Sequence, residues 1–283
     1  MRGFVESAGA AAPFTPEAFA AVRAHPLFRE VVETLAAENL DSYGRWTPAE
    51  RWLFSDLGRA AMTGAAVVLD ALQGCFSLAQ LIQAARTNRT CSEGRVRHYV
   101  WRATANGFLE ATPDGGYRPS DAMHAIVKVT AATMVRAVGR LDPPLATAPL
   151  HDLAFRRRLS LNIGLNTAAR PDLFAGEDKP VLLFLARDGG TRMLEQLIIA
   201  QPAQRTRLFE AAVTSRRALA QRAFVSRIHV ARLLADGADK GLLVPDGRRV
   251  AATPQLSEDV ERHYALVLEM ARVSVRAALD QAA

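Results

Sequence analysis

Ser226-Arg227-Ile228-His229-Val230-Ala231-Arg232-Leu233-Leu234-Ala235-Asp236-Gly237-Ala238-Asp239-Lys240-Gly241-Leu242-Leu243, followed by Pro245-Asp246-Gly247, has a counterpart 134 residues earlier. The earlier copy runs Ser92-Glu93-Gly94-Arg95-Val96-Arg97-His98-Tyr99-Val100-Trp101-Arg102-Ala103-Thr104-Ala105-Asn106-Gly107-Phe108-Leu109, then Pro113-Asp114-Gly115. Ser92 and Ser226 stand where an N-cap hydroxyl accepts from the first free amides of a helix. Gly107 and Gly241 stand where a left-handed residue ends one. Between them Val96 matches Val230, Tyr99 matches Leu233 and Val100 matches Leu234, the spacing of one buried helical face. A capped helix, a glycine stop, a short apolar strand and a Pro-Asp-Gly turn therefore occur twice.

Each copy has the order expected of a recognition helix followed by a β-hairpin wing, so the sequence predicts a mainly α chain. Its fold class is tandem winged helix-turn-helix domains with small β-wings and long packing helices. The predicted boundaries are an N-terminal helical extension over 1–46, a first winged-helix domain over 47–141, a linker and helical connector over 142–190, and a second winged-helix domain with a C-terminal helix over 191–283. At 283 residues and 49% hydrophobic content the chain can bury cores for about two domains. In the first unit Ala60 to Gln73, Ser77 to Ala85 and Ser92 onward read as three helices, with strands at Phe108–Ala111 and around Tyr117-Arg118. In the second, Thr191 to Ala200, Ser215 to Ala223 and Ser226 onward read likewise. Leu78-Ala79-Gln80 matches Leu219-Ala220-Gln221, which implies seven extra residues in the first unit's turn.

Around these units, Pro16 to Asn39 is helical with Pro26 as a kink or break. Thr47-Pro48-Ala49-Glu50 is a capping box opening a helix that ends near Gly58. Asp121 to Leu141 and Ser257 to Ala278 are long amphipathic helices, one after each wing, and they are expected to pack together as an intramolecular pseudo-dimer. Residues 142–149, rich in proline and alanine, read as the linker. His151 to Thr167 is helical, and the apolar run Pro180 to Ala186 is read as helix.

The net charge of +6 is unevenly placed. Ser77 to Arg118 carries six Arg against three acidic residues, and Thr214 to Val250 carries seven Arg and Lys240 against three Asp, so the remainder is slightly acidic. Positive charge concentrated in the two helix-turn-helix segments points to phosphate contact. The candidate DNA-binding residues of the first unit are Ser92, Arg95, Arg97, His98 and Arg102, with Arg118 on the wing. Arg95, His98 and Arg102 form one stripe by i, i+3, i+7 spacing, suited to base edges. In the second unit Ser226, Arg227, His229 and Arg232 take that role, Arg216 and Arg217 open the preceding helix, and Arg248 and Arg249 lie on the wing. The two helices differ at nearly every exposed position, so the halves are expected to read different sequences and the site to be asymmetric or imperfectly inverted.

Other chemistry finds little support. No GxxxxGK, GxSxG or HExxH pattern is present, so no catalytic residue is assigned. No metal ligand or cofactor is assigned either: His25, His124, His151 and His263 are scattered, and Cys75 and Cys91 lack ligand spacing. Arg156-Arg157-Arg158 reads as a solvated helical face. Ala60 to Leu72, the most apolar run, is short and interrupted by Asp70, so nothing is expected to cross a membrane. Residues 1–13 lack signal-peptide features and read as a flexible lead-in, implying a cytoplasmic, nucleoid-associated protein.

Val225-Ser226-Arg227-Ile228-His229-Val230, with Leu233-Leu234 and Lys240-Gly241-Leu242-Leu243, resembles bacterial winged-helix transcription regulators of the MarR and GntR type. The resemblance covers about 60 residues in the second unit and about 45 in the first. It implies a sequence-specific regulator that binds double-stranded DNA, with RNA polymerase or another regulator as a further partner, acting as a monomeric pseudo-dimer or a homodimer. Such regulators carry one winged helix per chain, and two in one chain departs from that pattern. The alternatives are a plasmid-type replication initiator with tandem winged helices and a winged-helix protein-interaction scaffold.

Overall fold

Many helices of this chain start where a short polar side chain takes up a free amide. The computed structural model describes residues 15–170, 179–202 and 205–281, and the lead-in over 1–13 lies outside them. Thr15 caps α1 (Pro16–Ala24), and the His25-Pro26-Leu27 break separates it from α2 (Phe28–Arg45). Thr47 and Glu50 form the expected capping box of α3 (Pro48–Leu53). This helix does not reach Gly58, because Asp56 accepts from the Arg59 amide and opens α4 (Leu57–Gln73), placing Gly58 buried in its first turn.

The first unit continues through α5 (Leu78–Thr87), capped by Ser77, then α6 (Glu93–Ala105), β1 (Leu109–Ala111) and β2 (Tyr117–Pro119). The strands pair antiparallel with Glu110 opposite Arg118, and Phe76 adds a bridge to Tyr117 on the other edge. Ser120 caps α7 (Asp121–Leu141). Residues 142–149, expected as a linker, include a 3-10 turn, Pro143–Thr147, whose Leu145 is buried. Next come α8 (Leu153–Ala169) and the short α9 (Leu182–Leu185), the helix expected within the Pro180 run.

The second unit contains α10 (Gly190–Ile199), β3 (Ala211–Val213), α11 (Arg216–Ala223), α12 (Arg227–Asp239), β4 (Leu243–Asp246), β5 (Arg249–Ala252) and α13 (Pro254–Asp280). Its sheet has the order β3-β5-β4, all antiparallel, and β3 was not expected from sequence. α13 begins earlier than Ser257 because Pro254, whose missing amide costs nothing in a first turn, follows the N-cap Thr253. With 69% of residues helical and only small sheets, the chain is mainly α.

The two units correspond bond by bond. Phe108 N–H donates to Ala103 O and Leu242 N–H to Gly237 O, each at 2.8 Å, and Gly107 and Gly241 both lie at positive φ (74° and 64°). Ser120 N–H reaches Phe108 O at 2.9 Å, and Thr253 N–H reaches Leu242 O at 3.0 Å. The preceding helices align differently from the tripeptide match: caps Ser77 and Ser215 correspond, and buried Leu81, Ile82 and Ala85 match Leu219, Ala220 and Ala223. Ser77 to Ser92 spans 15 positions and Ser215 to Ser226 spans 11, so the insertion is four residues and not seven.

Packing does not follow the sequence order. One core, containing Leu53, Met62, Phe76, Leu81, Tyr99 and Phe108, belongs to the first unit. The larger core combines α10–α13 with Val22, Val31, Val32 and Leu35 of α1 and α2, so the N-terminal helices fill the second unit and are no detached extension. α7 contributes to both: Met123 and Ile126 lie in the first core, and Val135, Ala137 and Val138 in the second. α7 and α13 touch each other, α2 lies along α7, and α13 runs against α1 and α8. Among the described residues no helix is long and apolar enough to cross a membrane.

Candidate nucleic-acid interface

In the first unit the burial of Val96, Tyr99, Val100 and Ala103 fixes which face of α6 is free. Tyr99 is anchored by its hydroxyl, 2.8 Å from Thr63 Oγ1, and by stacking on Trp52, and burial pushes its pKa up. Ser92 occupies the N-cap position with extended backbone and is exposed, but its hydroxyl makes no cap hydrogen bond. Arg95 turns back onto its own domain: a guanidinium nitrogen lies 2.5 Å from Oδ1 of Asp56, whose side chain is 2% exposed. Arg95, His98 and Arg102 therefore do not form one free stripe. Arg97 pairs with Glu93 at 2.7 Å, and Arg86 reaches the same carboxylate at 2.8 Å, so both hold the Glu93 carboxyl below its ordinary range. Arg102 lies over the Trp52 ring at 4.8 Å, and exposed His98 packs against Trp101. On the hairpin Arg118 pairs with Glu110 at 2.8 Å.

The second unit is charged differently. Ser226 caps α12 through its hydroxyl, which accepts from His229 N–H at 3.1 Å. Arg227 and Arg232 on α12, Arg216 and Arg217 at the start of α11, and Arg248 and Arg249 at the hairpin are all exposed, and among the described residues none makes an ion pair. Arg222 on α11 is also exposed and unpaired, and sequence reasoning passed over it. Thr214 N–H donates to Arg248 O at 2.8 Å, which sets the hairpin tip beside the start of α11 and brings Arg248 and Arg249 near Arg216 and Arg217. His229 departs from expectation, because its Nε2 is enclosed without a hydrogen-bond partner and so is not presented outward.

Two large apolar side chains stand out of phase with the buried faces: Trp101 on α6 is 66% exposed and Ile228 on α12 is 65% exposed. Their positions relative to Val96 and Val230 could have shown this from helical periodicity alone. Cys91, just before Ser92, is half-buried, and burial pushes its thiol up, which works against a reactive thiolate. Among the described residues no group of three or more His, Cys, Asp or Glu could hold a metal ion.

A polar joint links the units. Gly189 N–H donates to Ser55 O at 2.7 Å, Ser55 Oγ donates to Asp188 Oδ1 at 3.1 Å, and Arg59 bridges Asp188 to Asp56. On the other side Arg187 pairs with Asp236 of α12 at 2.6 Å. Gly189 has φ +64°, and a Cβ there would lie 2.8 Å from the carbonyl O of Ala223, the last residue of α11 before the turn into α12. Phe224, the next residue in that turn, also sits in the left-handed region (φ 55°), with its ring covered by Arg51 at 3.7 Å. Compared with protein-family models, curated proteins and solved structures, the chain matches none of them.

Proposed function

We propose that this chain is a sequence-specific DNA-binding transcriptional regulator built from two non-identical winged helices in one polypeptide, an intramolecular pseudo-dimer. The observation that carries this reading is the set of exposed, unpaired arginines on α11, α12 and the β4–β5 hairpin of the second unit. A winged helix meets duplex DNA through its second and third helices and its wing, and in the second unit each of these three elements bears exposed, unpaired arginines. Free guanidinium groups can release phosphate counterions and pair with guanine edges without first breaking an internal ion pair. The repeated hydrogen bonds and common strand order support the tandem winged-helix assignment, and with it the resemblance to MarR- and GntR-type regulators.

The halves are not equal partners in this reading. The second unit supplies the main grip, whereas Arg95, Arg97 and Arg118 of the first are held by carboxylates. Exposed Trp101 among paired charges favours a second reading for the first unit alone, docking of a protein such as RNA polymerase or another regulator.

The test is selection of genomic DNA fragments by the full chain at two salt concentrations. Expected is enrichment of a few asymmetric sites, with affinity falling steeply with salt. Arg227→Ala combined with Arg232→Ala should weaken binding by about 100-fold, at 1–3 kcal/mol for each base contact. Binding indifferent to sequence and unchanged in that variant would overturn the reading.

A further inference from the structure

Burial fixes the outward face of α12 as well as its inward one. Val230, Leu233, Leu234 and Gly237 are buried, and at about 100° per residue the line opposite them passes through Ile228, Arg232, Ala235 and Asp239. All four of these are exposed. Among the described residues Ile228 is the one large apolar side chain of α12 left in water. Arg227 and His229, beside it in sequence, lie on the flanks, and His229 is partly enclosed.

A lone exposed isoleucine needs no explanation on an ordinary surface. Ile228 differs by its neighbours. It stands in the first turn of α12, next to Arg227 and one turn before Arg232, and among the described residues neither arginine makes an ion pair. The far end of the same face is acidic, with Asp239 exposed and Asp236 close by. Carboxylates are repelled by phosphate, so the N-terminal half of α12 is the end suited to enter a groove, and its outermost side chain is apolar. The major-groove edges of the bases are polar apart from one group, the C5 methyl of thymine.

Resting on the DNA-binding reading above, we infer that Ile228 is a specificity-determining residue that packs against the C5 methyl of a thymine. Arg232 then reaches the guanine edge of a base pair about two steps away, since four residues of helix rise about 6 Å and each base step about 3.4 Å. Gly94 holds the corresponding position in the first unit and offers no side chain, so the contact is confined to the half of the site under α12.

The experiment titrates the full chain with duplexes carrying the site recovered by genomic selection, in which thymines are replaced one at a time by deoxyuridine. Uracil keeps the hydrogen-bonding edges of thymine and lacks only the methyl. Expected is a loss of about fourfold at one thymine, the scale of one methyl group withdrawn from water. In Ile228→Ala the thymine and uracil duplexes at that position should bind equally, both about as weakly as the wild type binds the uracil duplex or more so. The variant keeps the charge of the wild type, so its salt dependence should run parallel, whereas Arg232→Ala should flatten it. Ile228 is 65% exposed and outside the core, and circular dichroism and Tm would verify the fold of the variant. Selective binding by the wild type with no uracil-sensitive thymine, or a sensitivity that persists in Ile228→Ala, would overturn the inference and leave the DNA reading standing. Absence of sequence-selective binding by the wild type would overturn both.

Discussion

Arg95 shows how a residue that reads as a base contact can be a structural cation. Asp56 opens α4 through its carboxylate and is almost wholly buried, so its charge needs cationic partners, and Arg59 and Arg95 supply them. Removing Arg95 leaves Asp56 with one guanidinium. Arg95→Ala is expected to lower stability by about 1–2 kcal/mol, the scale of a hydrogen bond to a charged group. Arg97→Ala removes only an exposed i, i+4 pair and should cost less than about 0.5 kcal/mol. Urea denaturation of both variants checks this, and an Arg95→Ala no less stable than Arg97→Ala would refute the structural role. The Glu93–Arg97 spacing was readable in the sequence as an i, i+4 pair, and Glu110–Arg118 followed from the hairpin. The Arg95–Asp56 contact was not, because it joins the starts of two helices separated by α5.

At the scale of elements, what could be read was what is decided locally. Ser77, Ser120, Ser215 and Ser226 cap helices through their hydroxyls, and Gly107 and Gly241 follow the ends of α6 and α12, because each signal acts within a turn of itself. Phe76 and Ala211–Val213 were missed as strand material because each is too short to carry a period and is extended only by pairing with a distant hairpin. The four-residue insertion was misjudged because Leu-Ala-Gln recurs by composition, whereas burial sets the register. The joint at Gly189 was also silent, since its constraint comes from Ala223. Gly189→Ala should cost about 2–3 kcal/mol, because a left-handed φ and a close carbonyl act together. A loss under about 0.5 kcal/mol in urea denaturation would show that the turn relaxes freely.

For the whole molecule, the division of the core decides what can stand alone. The C-terminal half lacks α1 and α2, which fill its core, so a fragment of residues 142–283 should fail to fold cooperatively until residues 1–141 are supplied. A sharp unfolding transition from the isolated fragment would contradict this. The α1–α13 contact also sets an acid limit. Arg23 bonds Glu258 at 2.5 and 3.0 Å, Arg207 adds a contact at 3.0 Å, and together they pull the Glu258 carboxyl down to about 2. A carboxylate held below its unfolded value contributes stability that is present above about 4.5 and disappears as pH falls toward 2. Relative to the wild type, Glu258→Gln should be less stable at neutral pH, with the gap closing between those values. Denaturant melts across that range would show a constant gap if the pairing contributed nothing.

The joining of α2 to α10 also sets a timetable for synthesis. Asn39 Nδ2 donates to the buried Glu195 at 2.9 Å across 156 positions of sequence, so one partner is made long before the other. At about 5–20 residues per second, the apolar face of α2 waits roughly 8–30 s for the surface that covers it. The first unit, with a core of its own, can be complete by then, and the nascent chain therefore emerges with a finished middle and an uncovered beginning. Delay in elongation before residue 190 would lengthen that exposure, and aggregation during translation should rise with it.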